Sequence, residues 1–311
     1  MEKMRHKPRF TRSTAAPAMR LTDRDVEIIR HVHKHRFLTS VHIVSLLGDS
    51  TQPVLRRLNL LYHHGYVDRP RAQIDYFHQG GPRPMAYGLG NRGAELLQQR
   101  FGIPRPRLDW SAKNRSVKPM YLQHALMVAD VMVALERACR GSKKVRLVEP
   151  TELAGQTTSP AFQWRVRVHH DGAAEHLGIA PDKVFALKFA DRPAGRDTAF
   201  YFLEADRATM PVTRRSLQRT SFFQKMLAYY ETWRQELHSV LFNFNRFRVL
   251  TVTTSPQRAQ NILLANQAFN DGKGSGLFLV TDTAAIASHH DLLTAPLRSG
   301  RQGELVRLID S

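Results

Sequence analysis

The chain has 311 residues, a single cysteine and a formal net charge of +19 at neutral pH. One cysteine excludes an internal disulfide framework and a cysteine-based zinc cluster. The sequence contains no apolar run near the length of about 18 residues that a membrane span needs. Its N-terminus lacks the apolar stretch of a secretory signal, so we expect a cytoplasmic protein.

The positive charge is concentrated in the first part of the chain. Residues 1–120 contain 22 basic and 9 acidic residues, a net charge of +13, whereas residues 121–311 contain 24 and 18, a net charge of +6. This excess predicts an anionic partner, of which nucleic acid is the commonest. The alternative is a basic surface that serves only solubility. Membrane binding is not favoured, because the basic residues do not line one amphipathic helix with a large aromatic face.

Three short helices are predicted after a basic flexible arm, residues 1–19. Thr22 caps the first helix, with Asp25 as its capping-box partner three residues later. The second begins near Thr39 or Ser40 and ends at Gly48. The third is TQPVLRRLNLLYHHG, residues 51–65, with a proline near its start and a glycine as its stop signal.

The third helix has a polar face opposite its apolar residues. Gln52, Arg56, Asn59 and His63 follow one another at i, i+4, i+7 and i+11. These side chains have the donors and acceptors that suit base edges and phosphates. The alternative is a merely solvated face.

Two extended segments follow, roughly residues 66–77 and 85–89, on either side of a turn centred on Gly80-Gly81-Pro82. A further helix begins near Asn91. In this order the elements of residues 20–101 resemble a winged helix-turn-helix DNA-binding domain, in which the third helix enters the major groove and the wing contacts the backbone. The resemblance implies double-stranded DNA as partner. Some winged helices serve only as protein–protein modules, which is the main alternative. The remaining residues that we expect to bind DNA are Arg57, Arg69, Arg71 and Arg83.

The second part of the chain is predicted to be an α/β domain. Residues 102–118 are rich in proline and basic residues and are predicted to form a linker. Residues 119–285 then alternate between helical and strand patterns, which predicts a mixed sheet flanked by helices. Residues 286–311 form a C-terminal tail that is either a short helix-containing segment or a strand that pairs with the sheet. The predicted elements are a helix over 121–140, strands over 145–150, 163–168, 183–189 and 198–205, a helix over 214–237, a strand over 247–254, a helix over 256–270 and a strand over 276–281.

The order of these elements, with Pro181-Asp182 and Glu204, resembles the restriction-endonuclease-like superfamily and its PD-(D/E)xK motif. The resemblance implies that Asp182 and Glu204 bind Mg²⁺ or Mn²⁺ and that a lysine two residues after the glutamate activates water. Asp206 occupies the position of that lysine here. The nearest substitute is Lys225 on the following helix, with Tyr229 one turn later on the same face.

Two hypotheses stay open for this domain. In the first, it is a metal-dependent DNA endonuclease or nickase that uses Asp182, Glu204 and Lys225, supported by Asp206, Tyr229 and Glu152. In the second, the fold has lost hydrolysis. Glu152 is either a distal fourth acid of the metal site or a cap near the end of a strand, and we prefer the cap.

Six short segments in order are similar to the replication-relaxation family of bacterial mobile elements over most of residues 20–235. They are LTDRDVEIIRHVHKHRFLT, QHALMVAD, EPTEL, APDKVFAL, FYFLEADRAT and FFQKMLAYY. The resemblance implies a DNA-binding protein of a plasmid, phage or integrated element that acts in replication or relaxation. Other replication or mobilisation proteins are candidate partners, and a dimer is allowed. The alternative is a transcriptional regulator with an inactive nuclease-like domain. The motif residues carried over by position are His124, Glu152, Asp182, Glu204, Asp206, Arg207, Lys225 and Tyr229.

Overall fold

The computed structural model describes residues 9–13, 16–74, 83–104, 109–154, 162–170, 173–214 and 220–310. The chain forms two compact units, Met1–Val133 and Ala134–Ser311. In the part of the chain that is described, no helix has both the length and the apolarity to cross a membrane. The mixed α/β class predicted from the sequence is confirmed.

The first unit combines helices with a three-stranded antiparallel sheet of order β1-β3-β2. Its core is formed by the apolar sides of the first four helices and of β3, and it includes Val26, Ile29, Leu58 and Leu97. Its elements are α1 (Asp23–His35), β1 (Phe37–Thr39), α2 (Ser40–Leu47), α3 (Thr51–His63), β2 (Val67–Asp68), β3 (Ala86–Leu89), α4 (Asn91–Phe101), α5 (Trp110–Arg115) and the first part of α6 (Pro119–Gly141).

The predicted helix signals are confirmed at the ends of α1 and α2. Thr22 and Asp25 form a reciprocal capping box at the start of α1. Thr39 caps α2, which ends at Gly48 with a left-handed φ of 69°. A glycine suits this position because it adopts positive φ at little steric cost.

Two predictions for the first unit differ from the structure. Of the segment predicted to be extended over 66–77, the described residues 66–74 contain only the short strand β2, because Pro70 has no N–H to continue the ladder and a 3₁₀ turn, Arg71–Gln73, follows. The predicted turn at residues 80–82 lies outside the described residues. The predicted linker contains α5, which is fixed by hydrogen bonds from Ser111 and Asn114 to the Asp68 carboxylate.

The second unit is built on a seven-stranded mixed sheet of order β12-β11-β10-β9-β8-β7-β4. Strands β8, β9 and β10 are parallel, and the other pairs are antiparallel. Its elements are the rest of α6, then β4 (Val145–Val148), α7 (Pro150–Ala154), β5 (Trp164–His170), β6 (Ala173–Ile179), β7 (Lys183–Phe189), β8 (Thr198–Asp206), α8 (Phe222–Arg234), α9 (Leu237–Phe242), β9 (Phe247–Thr253), α10 (Pro256–Asn266), β10 (Phe278–Asp282), α11 (Thr283–Ser288), β11 (Leu297–Ser299) and β12 (Leu305–Val306).

Two features of the second unit differ from the sequence prediction, and one open alternative is decided. Strand β5 pairs with β6, which the sequence analysis missed, in a separate hairpin. Helix α8 begins only at Phe222, where Ser221 caps it, rather than at residue 214. In the C-terminal segment, the strand alternative is confirmed, because β11 pairs with β10.

Candidate functional site

Asp182 lies immediately before strand β7, and Glu204 lies on the neighbouring strand β8 of the large sheet. Lys183 and Leu203 are register partners in the antiparallel pair β7–β8, so Asp182 precedes β7 opposite the end of β8. The Asp182 amide donates to the Leu203 carbonyl at 3.1 Å, and Asp182 Oδ2 accepts from the Ala205 amide at 2.8 Å. The structure therefore brings the two predicted carboxylates to one edge of the β7–β8 pair.

Lys225 and Tyr229 approach the Glu204 carboxylate from helix α8. Lys225 Nζ lies 2.6 Å from Glu204 Oε2, and the Tyr229 hydroxyl donates to Glu204 Oε1 at 2.6 Å. The two residues are one helical turn apart, which places them on the same face of α8. Each oxygen of Glu204 thus has a donor from the helix.

Glu204 is buried. It is 2% exposed, and this burial raises the pKa of its carboxyl group. The nearby Asp182 carboxylate raises the pKa further, whereas the Lys225 ammonium lowers it. Burial opposes the charge on Lys225, but Glu204 outweighs it and raises the pKa of this ammonium. Burial raises the pKa of Tyr229 well above its ordinary value, so the hydroxyl is a donor at neutral pH. The Tyr229 ring lies edge-on to Trp164 of the hairpin, with ring centroids 6.0 Å apart.

Asp206 lies two residues beyond Glu204 and has different partners. Arg258 Nε donates to Asp206 Oδ2 at 2.7 Å and Arg258 Nη2 to Oδ1 at 3.1 Å, and the Thr253 hydroxyl adds a bond of 2.8 Å. The Asp206 side chain is 3% exposed and that of Arg258 13% exposed. Asp206 is thus one half of a buried, bidentate ion pair.

Sequence reasoning missed Arg258. No local pattern points to it, because the contact depends on the parallel pairing of β8 with β9, whose carboxyl ends meet at one end of the sheet. Asp206 is there the register partner of Thr253, and Arg258 lies in the first turn of the next helix.

The other motif residues have separate environments. Arg146 Nη1 donates to Glu152 Oε2 at 2.8 Å, and Glu152 Oε1 accepts from the Glu149 amide at 3.1 Å. The hydrogen bond from Arg146 lowers the pKa of Glu152. These contacts agree with the preferred interpretation of Glu152 as a cap. His124 lies on α6 within the first unit, and Arg207 is half-buried just after β8.

The carboxylates around Glu204 fit a divalent cation poorly as they are arranged. Both Glu204 oxygens have donors, and Asp182 Oδ2 accepts an amide. Within the described residues, neither carboxylate belongs to a group of three metal-ligating side chains. Mg²⁺ or Mn²⁺ would have to displace Lys225 from the Glu204 carboxylate.

The polar face predicted on α3 is exposed for part of its length. Gln52, Arg56 and Asn59 are exposed, whereas His63 is half-buried and its Nδ1 accepts from the Ser13 amide at 2.9 Å. Arg69 extends this surface, since its guanidinium lies over the Tyr62 ring and donates to Asn59 Oδ1 at 3.0 Å. Arg71 and Arg83, on either side of the undescribed segment 75–82, are also exposed.

Arg57 points away from this face. Its Nε donates to Asp25 Oδ1 at 2.8 Å, its Nη2 contacts the other oxygen, and the same Nη2 donates to the Arg20 carbonyl. Asp25 is fully buried. Although burial opposes the charge, Arg57 and Thr22 hold the pKa of Asp25 below its ordinary value. Arg57 therefore has a structural contact that the sequence analysis did not expect.

The described part of the N-terminal arm lies on the C-terminal half of α3 and on β2. Arg12 Nε donates to the Tyr62 carbonyl at 2.9 Å, and its Nη2 contacts the Asp68 carboxylate. The Arg9 carbonyl accepts from Arg69, and the Pro17 carbonyl hydrogen-bonds His64. Over residues 9–13 and 16–19 this segment, predicted to be flexible, is thus held by specific contacts.

The replication-relaxation family matches residues 29–240, which is more than half of the chain. Comparisons with curated proteins and with solved structures give no match. The matched segment includes α3 and the whole Asp182–Glu204–Lys225–Tyr229 cluster, so the chain belongs to the replication-relaxation family.

Proposed function

We propose that this protein binds duplex DNA through a winged helix-turn-helix in its first unit and acts in the replication or relaxation of a plasmid, phage or integrated element. The observation that carries the proposal is the exposed polar face of α3, which has Gln52, Arg56 and Asn59 next to the guanidinium of Arg69. Family membership supports the role in replication or relaxation.

The arrangement of the first unit supports the winged-helix assignment. Helices α2 and α3 are separated by three residues, as in a helix-turn-helix, and β2 pairs with β3 after them. In this proposal α3 enters the major groove, and β2 and β3 are the strands of the wing. The exposed Arg71 and Arg83 at the base of the wing contact phosphates.

The residues of the proposed interface divide into two roles. Gln52 and Asn59 have amide groups that can pair with base edges. Arg56 and Arg69 place positive charge on either side of Asn59, where they contact the phosphate backbone. Arg57 is not included, because it pairs with Asp25.

Fluorescence anisotropy with fluorescein-labelled duplex DNA tests the interface. We expect the double variant Arg56→Ala/Asn59→Ala to bind at least about tenfold more weakly, since each lost contact is worth roughly 1–3 kcal/mol. The matched control is Arg100→Ala, which removes an exposed arginine from α4. Equal affinity losses in the two variants would contradict the α3 interface.

Metal-dependent cleavage of DNA is a second candidate function, which the residue types near Glu204 favour although a divalent cation would have to displace Lys225. Lys225 reaches Glu204 from α8, and Asp182 immediately precedes the adjacent strand β7, so the residue types of the motif lie near one another although their spacing differs. The order α6, β4, β7, β8, α8, β9 also follows the helix, three strands, helix, strand core of the restriction-endonuclease-like fold, with the β5–β6 hairpin inserted.

A nicking assay on supercoiled plasmid with Mg²⁺ or Mn²⁺ tests this candidate. Loss of nicking in both Asp182→Ala and Glu204→Gln, with normal DNA binding, would support cleavage at this site. Nicking that survives both changes, or no nicking by the wild type, would overturn it. If the wild type does not nick DNA, the second unit is a non-catalytic module. The protein would then fit a transcriptional regulator, which should protect a defined DNA site in footprinting.

A further inference from the structure

We propose that a basic groove on the second unit binds the phosphodiester backbone of DNA, in addition to the contact made by α3. The inference rests on the proposed DNA-binding function and assigns a second, sequence-independent contact to it. The groove lies where the C-terminal end of α6 is followed by a loop and the edge strand β4.

The groove has a volume of about 520 Å³ and a lining that is strongly positive. Among the described residues that line it, one is acidic, Glu136, and five are basic. The basic lining residues are Arg140, Lys143, Lys144, Arg146 and Lys188.

Two of these cations are direct neighbours across the sheet. Arg146 on β4 and Lys188 on β7 are register partners in the antiparallel pair, and both are exposed. Like charges directly opposite each other destabilise a strand pair. The two cations therefore repel each other, and a bound anion that contacts both would offset this repulsion.

The need to protect an edge strand from association explains only part of the positive charge in the groove. Charged side chains on an outer strand prevent edge-to-edge association, which accounts for Arg146 on β4. It does not account for Lys188, because β7 is an inner strand between β4 and β8. Lys143 precedes the strand in the loop after α6, where no edge needs protection.

The existing ion pairs of the groove leave its cations available to an anion. Arg146 pairs with Glu152 at 2.8 Å, Lys188 with Asp197 at 3.4 Å, and both cations are more than half exposed. Exposed ion pairs of this kind contribute little, because water and salt screen them. A phosphodiester backbone that places several phosphates along the groove can therefore compete with single carboxylates.

The residues that line the groove indicate that it binds the phosphate backbone of DNA rather than the bases. Binding of unpaired bases relies on aromatic side chains on which they stack. The described lining contains none, and its polar groups are mainly ammonium and guanidinium groups. Such groups bind phosphates without regard to sequence.

The test compares full-length variants in a salt series of duplex-DNA binding by fluorescence anisotropy. The groove variant is Lys143→Gln/Arg146→Gln/Lys188→Gln. The matched control is Lys273→Gln, an exposed lysine in the loop after α10 that does not line the groove. Each lost phosphate contact makes the negative slope of log Kobs against log salt shallower by about 0.9. We therefore expect the slope of the groove variant to be less negative than that of the wild type by about 2–3. Its melting temperature should not fall, because the repulsion between strands is removed.

The outcomes separate this inference from the proposed function. A groove variant with the slope of the wild type, while Arg56→Ala/Asn59→Ala binds weakly, overturns the groove and leaves the α3 interface intact. A reduced slope in the groove variant and an unchanged slope in Lys273→Gln support the groove. A wild-type protein that does not bind DNA overturns both.

Discussion

Lys225 Nζ lies 2.6 Å from Glu204 Oε2, so a lysine carried by helix α8 contacts the carboxylate carried by strand β8. The strand position two residues after Glu204, where the PD-(D/E)xK motif has its lysine, is instead the buried Asp206. Helix α8, rather than strand β8, therefore supplies the cation, Lys225, that contacts Glu204.

Removing Lys225 should destabilise the second unit. Lys225→Met leaves the 2%-exposed Glu204 without its ammonium partner, which we expect to cost roughly 1–3 kcal/mol of unfolding free energy. The lower part of this range applies because the lysine side chain is 40% exposed and partly screened by water. Urea denaturation measures the change. The control is Lys225→Met/Glu204→Gln, which should recover part of the loss because no buried charge is left. A double variant less stable than Lys225→Met would contradict the pairing.

Glu204 should make stability fall as pH rises. Its folded pKa is raised above the ordinary value of 4.5, so the folded state holds a proton that the unfolded state has released. The contribution of Glu204 to stability is therefore greatest below pH 4.5 and is lost as pH rises through the raised pKa. We expect the difference in unfolding free energy between the wild type and Glu204→Gln to decrease as pH rises through this window. An increase would mean that Lys225 dominates and lowers the pKa.

Restoring the motif lysine should fail. Asp206→Lys would place an ammonium against Arg258, whose guanidinium Nε lies 2.7 Å from the native carboxylate, in a buried site. Breaking a buried ion pair costs about 3–5 kcal/mol, and a second cation adds repulsion. We expect a large loss of melting temperature and no gain of nicking. Asp206→Asn, which keeps the shape and the bond from Thr253, should lose less. A stable Asp206→Lys protein would show that Arg258 is not the essential partner.

Local signals in the sequence predicted the helices and the long strands well. The capping box of Thr22 and Asp25 and the stop at Gly48 involve neighbours within a few residues, so the sequence contains the whole interaction. Strand β6, AAEHLGI, was missed because small and polar residues give it no clear alternation. Strands β11 and β12 have three and two residues, too few for a periodic pattern.

The candidate site was only partly accessible from the sequence. The motif suggested Lys225 as a substitute for the missing lysine, and Lys225 contacts Glu204, while Asp182 accepts a hydrogen bond from the amide of Ala205. The partners of Asp206 and Arg57 were not predicted, because Arg258 and Asp25 lie 52 and 32 positions away along the chain. Such contacts depend on the tertiary packing of elements, and no local pattern encodes them.

Arg56 and Arg57, adjacent in sequence, should have opposite phenotypes. Arg57→Ala leaves the fully buried Asp25 without its guanidinium and should cost about 3 kcal/mol of unfolding free energy. Arg56→Ala removes an exposed side chain and should leave stability within about 0.5 kcal/mol while weakening DNA binding. Thermal denaturation and anisotropy on both variants separate the effects. Equal stability of the two variants would contradict the Arg57–Asp25 contact.

The salt dependence of wild-type binding to duplex DNA tests the central claim most directly. Arg56, Arg69, Arg71 and Arg83 are proposed to contact phosphates, and counterion release predicts a slope of log Kobs against log salt of roughly −3.6 or steeper. Anisotropy between about 50 and 200 mM salt, the range over which such contacts weaken binding, measures it. A linear decrease with that slope is the predicted result. No binding at low salt, or binding that does not change with salt, would contradict the account.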